Sequence, residues 1–112
     1  MGYLLWAACF HFDDFFRGHD LLIMVAIKTV EIKNKLGMHA RPAAKLVGLS
    51  SEYKSNIIFE RDGLEVDGKS LLSILTMACP QGCMMTIRAE GCDACEAVEA
   101  LGKLIEDKFG ED

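Results

Sequence analysis

The sequence predicts an α+β fold in which a four-stranded antiparallel sheet is covered on one face by three helices, in the order βαββαβα. Three observations carry this expectation. Segments with apolar residues at every second position alternate with segments whose apolar residues recur three or four apart, and Gly, Pro, Asn and Asp mark the boundaries between them. Two of the strands flank Asp62-Gly63, a dipeptide suited to a tight hairpin, so they pair antiparallel. The chain has 112 residues, 51% of them apolar and 26% charged, which suits one domain with one packed core.

From Met24 onward the pattern is regular. Val25 to Lys33 ends with Val30 and Ile32 alternating against Glu31 and Lys33, as in a half-buried strand. Asn34-Lys35-Leu36-Gly37 is a turn, after which Ala43, Ala44, Leu46 and Val47 fall at helical spacing within a helix from Ala40 to roughly Ser51. Ile57 and Phe59 share one face of a strand over Asn56 to Asp62, and Leu64 to Asp67 returns beside it. Ser70 to Ala78 is a short helix stopped by Pro80, because proline lacks an N–H and disfavours helix at the residue before it. Met85, Ile87 and Ala89 alternate against Thr86 and Arg88 in a strand from Met84 to Glu90. A last amphipathic helix follows, with Ala94, Ala97, Val98, Leu101, Leu104, Ile105 and Phe109 on its apolar stripe.

Residues 1–23 stand apart as an N-terminal extension, and residues 24–112 form the domain. Trp6 to Phe16 is rich in aromatic residues but has neither a strand nor a helix period. Either the start is assigned too early and Met24 is the working initiator, or the extension packs on the body or on a partner. The apolar run Met1 to Phe10 has no Lys or Arg before it and is broken by His11, Asp13 and Asp14, so it fits neither a signal peptide nor a membrane span. A cytoplasmic monomer without membrane insertion is expected. Its five cysteines, Cys9, Cys79, Cys83, Cys92 and Cys95, are expected to be reduced. The formal net charge of −5, with no Lys/Arg cluster to offset it, argues against nucleic acid as a partner.

The cysteines raise a second question, since Cys79-x-x-x-Cys83 followed by Cys92-x-x-Cys95 superficially resembles a four-thiolate zinc site. A strand lies between the two pairs, and at about 3.3 Å per residue it holds them roughly 20 Å apart. No metal and no cofactor is expected. Cys92 and Cys95 alone could form a redox pair at the start of the last helix, against the alternative of small buried or reduced thiols. His11 and His19 are read as ordinary solvated residues.

The most informative segment is Gly37-Met38-His39-Ala40-Arg41-Pro42-Ala43-Ala44, where a helix begins directly after a turn. His39 occupies a position where Ser, Thr, Asp or Asn would normally cap the helix, and Pro42 suits the first turn, where its missing N–H costs nothing. An imidazole is a nucleophile near neutral pH. A phosphoryl group placed on it would face unpaired backbone N–H groups, including that of Ala40, and the positive end of the helix dipole. Arg41 adds a fixed charge with several donors for phosphate oxygens. On the residues alone, an anion or phosphoryl site competes with an ordinary surface histidine and arginine beside a helix start.

Gly37 to Ala43 resembles the signature of the HPr family, the histidine phosphocarriers of the bacterial phosphoenolpyruvate-dependent sugar phosphotransferase system. The resemblance continues through Gly68-Lys69-Ser70-Leu71-Leu72-Ser73-Ile74-Leu75, which is similar to the family's regulatory serine segment, and it spans Met24 to the C-terminus. It implies an open-faced β-sandwich of the same βαββαβα order. It also implies that enzyme I phosphorylates His39 on Nδ1, that Arg41 stabilises the transfer, and that the group passes on to IIA-type proteins. Such a protein is a phosphoryl carrier with a transient phosphohistidine, not an enzyme.

Two further features take on meaning from this resemblance. Ser70 at a helix start is either a simple cap or the target of an ATP-dependent HPr kinase/phosphorylase, whose product would set a dianion beside the docking surface. The short helix is apolar on nearly every side, so some of Leu71, Leu72, Ile74, Leu75 and Met77 should be exposed, and the family implies partner contact at Leu71, Leu72 and Leu75. Two other functions stay open. A regulatory paralogue would signal by phosphorylation state without sugar transport, and a redox or metal module would depend on the cysteines.

Overall fold

Alternating side chains build the sheet in the computed structural model, which describes residues 9–11 and 24–111. The strands are β1 (Cys9–His11), β2 (Met24–Glu31), β3 (Asn56–Arg61), β4 (Leu64–Asp67) and β5 (Met84–Gly91). They lie in the order β1-β2-β5-β3-β4, and every neighbouring pair is antiparallel. The four expected strands are present, with ends within two residues of those read from the sequence. β1 adds a short fifth strand from within the N-terminal extension, pairing Cys9 with Ala26 and His11 with Met24. The rest of that extension, His19 included, and the side chain of His11 lie outside the described residues.

One face of the sheet is apolar because every second residue points to it. Ala26 and Val30 of β2, Ile57 and Phe59 of β3, Val66 of β4 and Met85, Ile87 and Ala89 of β5 are all buried. Burying one Ile or Phe side chain contributes about 1.5–3 kcal/mol. The opposite face carries polar pairs such as Thr29 and Thr86, directly opposed and sharing a hydrogen bond of 3.1 Å, and an exposed Arg88–Glu65 ion pair at 3.3 Å.

Three helices cover the apolar face: α1 (Ala40–Ser50), α2 (Leu71–Thr76) and α3 (Ala94–Glu106). In α3, Ala94, Ala97, Val98, Leu101, Gly102 and Ile105 repeat three or four apart, and the stripe lies against β2 and β5. In α1, Pro42, Ala43, Leu46 and Ser50 are buried, and the helix also touches α2 and α3. The architecture is the α+β open-faced sandwich expected from the sequence.

Two helices end earlier than the apolar pattern suggests. α2 stops at Thr76 rather than Ala78, because Ala78 takes a left-handed backbone (φ 49°), and the carbonyls of Met77 and Ala78 accept hydrogen bonds from the Arg61 guanidinium at 2.7 and 3.1 Å. α3 stops at Glu106, after which Lys108, Phe109 and Gly110 are all left-handed (φ 58°, 57° and 78°). Phe109 is buried, but as an anchor beyond the helix rather than as part of its stripe.

The cysteines also depart from expectation. Cys79 and Cys83 form a disulfide, since the turn over Pro80-Gln81-Gly82 brings their Cα atoms to 5.8 Å, within bridging range. Cys95 is disulfide-bonded as well, whereas Cys92 is free and exposed, so the Cys92/Cys95 pair is not formed. Among the described residues, no group of His, Cys, Asp and Glu is placed to hold a metal, and no helix is long and apolar enough to cross a membrane.

Asp93 ties the start of α3 to the loop before β3. Its carboxylate accepts the Ser55 hydroxyl proton and the backbone N–H groups of Lys54 (2.9 Å) and Ser55 (3.0 Å). Burial raises the pKa of this carboxyl group, but the hydrogen bonds from Ser55 and from the backbone outweigh burial and hold it below the ordinary 3.8. A lowered folded-state value means that the contribution to stability is complete above the ordinary value and is lost as pH falls through the lowered one. The thermal midpoint of the wild type should therefore fall more steeply below about pH 4 than that of Asp93→Asn, the two curves converging in acid. Parallel curves in a pH series of thermal melts would show that this carboxylate does not couple to folding.

Candidate functional site

Residues 32–39 leave β2 and turn into α1, and main-chain contacts fix their path. Gly37 N–H donates to the Asn34 carbonyl (3.1 Å), closing the turn, and Met38 N–H donates to the Cys79 carbonyl (2.8 Å) in the loop before β5. Ile32 and the same loop exchange two further bonds, Ile32 N–H to Cys83 O (2.9 Å) and Gly82 N–H to Ile32 O (2.7 Å). Gly37 has φ +69°, and a Cβ there would stand 2.6 Å from the Cys79 carbonyl oxygen and 2.8 Å from Pro80 Cα. Only glycine permits both the left-handed backbone and this approach.

His39 is the N-cap of α1, with extended backbone angles (φ −120°, ψ −169°) and no side-chain cap hydrogen bond. Its carbonyl accepts the Ala43 N–H at 3.0 Å. Ala40 and Arg41 precede the first residue with an intrahelical acceptor, and Pro42 has no N–H, so the helix start presents the N–H groups of Ala40 and Arg41 outward. The imidazole is about one-third exposed. It lines a shallow recess of about 290 Å³ together with Lys35, Leu36, Arg41 and Glu111.

The ring's orientation is set on one side. Nε2 lies 3.5 Å from Glu111 Oε1 and 3.4 Å from Oε2. Glu111 Oε1 also accepts from Asn34 Nδ2 at 3.2 Å, and the same amide donates to the Gly37 carbonyl at 2.8 Å. The tail that carries Glu111 is held by Lys45 of α1, whose ammonium group donates to the Phe109 carbonyl at 2.7 Å.

This helix start, with a histidine at the N-cap and an arginine two residues on, carries the segment that resembles the HPr signature. The family described as "PTS HPr component phosphorylation site" matches residues 26–107. The chain belongs to the HPr family. Phosphocarrier protein HPr of Xylella fastidiosa is 41% identical over 81 residues, which are 72% of this chain and 91% of that protein. Phosphocarrier protein NPr of Proteus mirabilis is 40% identical over 90 residues, covering 80% of this chain and all of that one. The crystal structure of HPr-C-His from Thermoanaerobacter tengcongensis superposes with a TM-score of 0.74 at 46% identity, over 77% of this chain and 97% of that one.

Within the HPr fold, the residues read from the sequence fall in two groups. His39, Arg41 and the backbone of Ala40 gather at the start of α1, where His39 and Arg41 share the recess. Ser70 caps α2, its hydroxyl accepting the Ser73 N–H at 3.3 Å, so its capping role is realised in the structure. Beyond it, Leu72 is 70% exposed and Leu71 41% exposed, whereas Leu75 is half-buried against the core and Ile74 and Met77 are fully within it. Sequence reasoning missed Asn34, Lys45 and Glu111. Asn34 read as a turn residue and is one, but it is also fully buried. The Phe109-Gly110 pair ahead of Glu111 is the one local sign that the chain bends back here.

Gly37→Ala should destabilise the protein by about 1–3 kcal/mol or more, from the strained left-handed backbone together with the backbone clash against Cys79 and Pro80. Chemical denaturation compares it with Gly63→Ala. That glycine is also left-handed, but a Cβ there meets no neighbour, so it isolates the conformational part.

Proposed function

We propose that this chain is a phosphocarrier that accepts a phosphoryl group from enzyme I on His39 and passes it to IIA-type proteins of the sugar phosphotransferase system, acting in the cytoplasm. The observation that carries the reading is the placement of His39 as the N-cap of α1 without a cap hydrogen bond, in one recess with Arg41. With Nε2 turned to Glu111, Nδ1 is the ring nitrogen left for phosphorus. Its lone pair forms the N–P bond while the bond from phosphorus to the donor breaks and leaves its electron pair on the donor. The N–H groups of Ala40 and Arg41, the helix dipole and the Arg41 guanidinium face the transferred oxygens. Reversal of the same step on a recipient discharges the carrier, so the protein is regenerated and has no substrate of its own to turn over.

Residues 24–112 form the carrying unit in this reading, in keeping with the family match over residues 26–107. Leu71 and Leu72, exposed beside the half-buried Leu75, supply an apolar docking patch. Ser70 is the candidate regulatory position for HPr kinase/phosphorylase. A second reading keeps the same chemistry but uses it for signalling rather than sugar transport. It is favoured by the likeness to Crh of Bacillus subtilis, whose solution structure is described as that of the catabolite repression HPr and which is 34% identical to this chain.

Incubation with enzyme I and phosphoenolpyruvate tests the acceptor directly. The wild type should gain one acid-labile phosphate, His39→Ala none with its thermal midpoint little changed, and Arg41→Ala should be charged roughly 10 to 1,000 fold more slowly. Phosphate retained on His39→Ala overturns the assignment. Ser70→Asp should weaken binding to enzyme I in a titration while stability moves by less than about 1 kcal/mol, because aspartate caps a helix as well as serine does and suits the dipole. Equal affinities for the two forms would leave Ser70 as a cap alone.

A further inference from the structure

We propose that Glu111 is a positioning residue for phosphoryl transfer: its carboxylate holds the Nε2–H of His39, keeps the Nδ1 lone pair directed outward, and offsets the positive charge of the ring once Nδ1 is phosphorylated. The inference rests on the reading of His39 as the acceptor.

Glu111 lies outside the family match over residues 26–107, and four features of the chain converge to place its side chain. Lys108 and Phe109 adopt left-handed backbone conformations that residues with a Cβ seldom take, and Gly110 continues the turn. Phe109 is buried as the anchor of this turn. Lys45 fixes the Phe109 carbonyl, and the fully buried Asn34 fixes Glu111 Oε1. The outcome is a glutamate side chain only 15% exposed, a burial that glutamate rarely tolerates without a partner. Its Oε2 is buried with no hydrogen bond of its own, and the His39 ring stands 3.4 Å from it. The two nitrogens of an imidazole lie on different edges of the ring, so the carboxylate governs one and leaves the other uncovered.

The chemistry follows from which nitrogen carries the proton. In neutral imidazole one nitrogen is a donor and the other holds the lone pair, and the hydrogen bond made by the first decides which is which. With Nε2–H directed at Glu111, Nδ1 is the nucleophile. As the N–P bond forms and the bond from phosphorus to the donor breaks, the electron pair of the broken bond stays on the donor. No proton needs to leave the ring, which gains one positive charge beside an existing carboxylate. Contacts of this length in a resting site tighten as charge develops. An acid that orients and supports a reacting histidine through its second nitrogen is a recurrent arrangement.

The test uses the full chain with Glu111→Ala and Glu111→Gln, charged by enzyme I and phosphoenolpyruvate. Both variants should lower kcat for phosphoryl acceptance, Ala by roughly 10 to 100 fold, as when the outer partner of a ligating histidine is removed, and Gln by less. KM for enzyme I should stay within about twofold, since docking is not the step affected. In the 15N-labelled, unphosphorylated protein, a hydrogen-bonded ring N–H resonance of His39 should be present in the wild type and lost in Glu111→Ala. Wild-type kcat in Glu111→Ala, a change in KM alone, or an N–H resonance indifferent to the substitution each overturns the role of Glu111 while leaving the acceptor in place. Failure of the wild type to take phosphate on His39 overturns the acceptor reading instead, and the proposal with it. The ring resonance then still reports whether the contact exists.

Discussion

Gly37 and Met38 lie with their backbone pressed against the carbonyl of Cys79, and the rest of the site depends on that approach. A side chain at Gly37 would push the two segments apart, and the start of α1 would then have no fixed position relative to the sheet. The Met38 N–H bond to Cys79 fixes the residue just before the N-cap. His39 then stands at the N-cap without a side-chain cap hydrogen bond, and its ring meets Glu111 instead. The bonds between Ile32 and the segment Gly82-Cys83 lock the same two loops one step nearer the sheet, so the helix start takes its rigidity from β2 and β5.

The same rigidity bears on how a chain of formal charge −5 would present the proposed anion site. Long-range attraction does not supply it. Oriented N–H groups at the start of α1 and the nearby Arg41 and Lys35 act over a few ångströms, where a fixed dipole outweighs the diffuse field of distant carboxylates. Among the described residues, the carboxylate of Glu111 meets the imidazole through Nε2.

Much of this was legible in the sequence, for a reason that differs by element. Met85, Ile87 and Ala89 opposite Thr86 and Arg88 specify a strand and its buried face together, and the alternation survives intact in β5. His39 between Gly37 and Pro42 was visible as a candidate site because a local capping rule is broken there. The contact of His39 with Glu111 was not, since it joins residues 72 apart in sequence. The turn that makes it is disguised by Leu101, Ile105 and Phe109, whose spacing of four continues a helical stripe past the point where the helix ends. The pairing of β1 with β2 is invisible for a similar reason: a strand of three residues is too short to show a period. Reduced cysteines were inferred from compartment rather than from shape, whereas the turn at Pro80 settles the proximity of Cys79 and Cys83 locally.

The far end of the sheet has a bearing on self-association. β4 is its outermost strand on that side, and such a strand offers unpaired main-chain groups to any other chain that can lie alongside. Here the exposed border is only four residues long, and two of them, Glu65 and Asp67, are exposed carboxylates. A second copy approaching in register would bring like charges together along a ladder too short to compensate for them. The border therefore works as a guard against edge-to-edge polymerisation, leaving the molecule to meet other proteins through side chains rather than by extending its sheet.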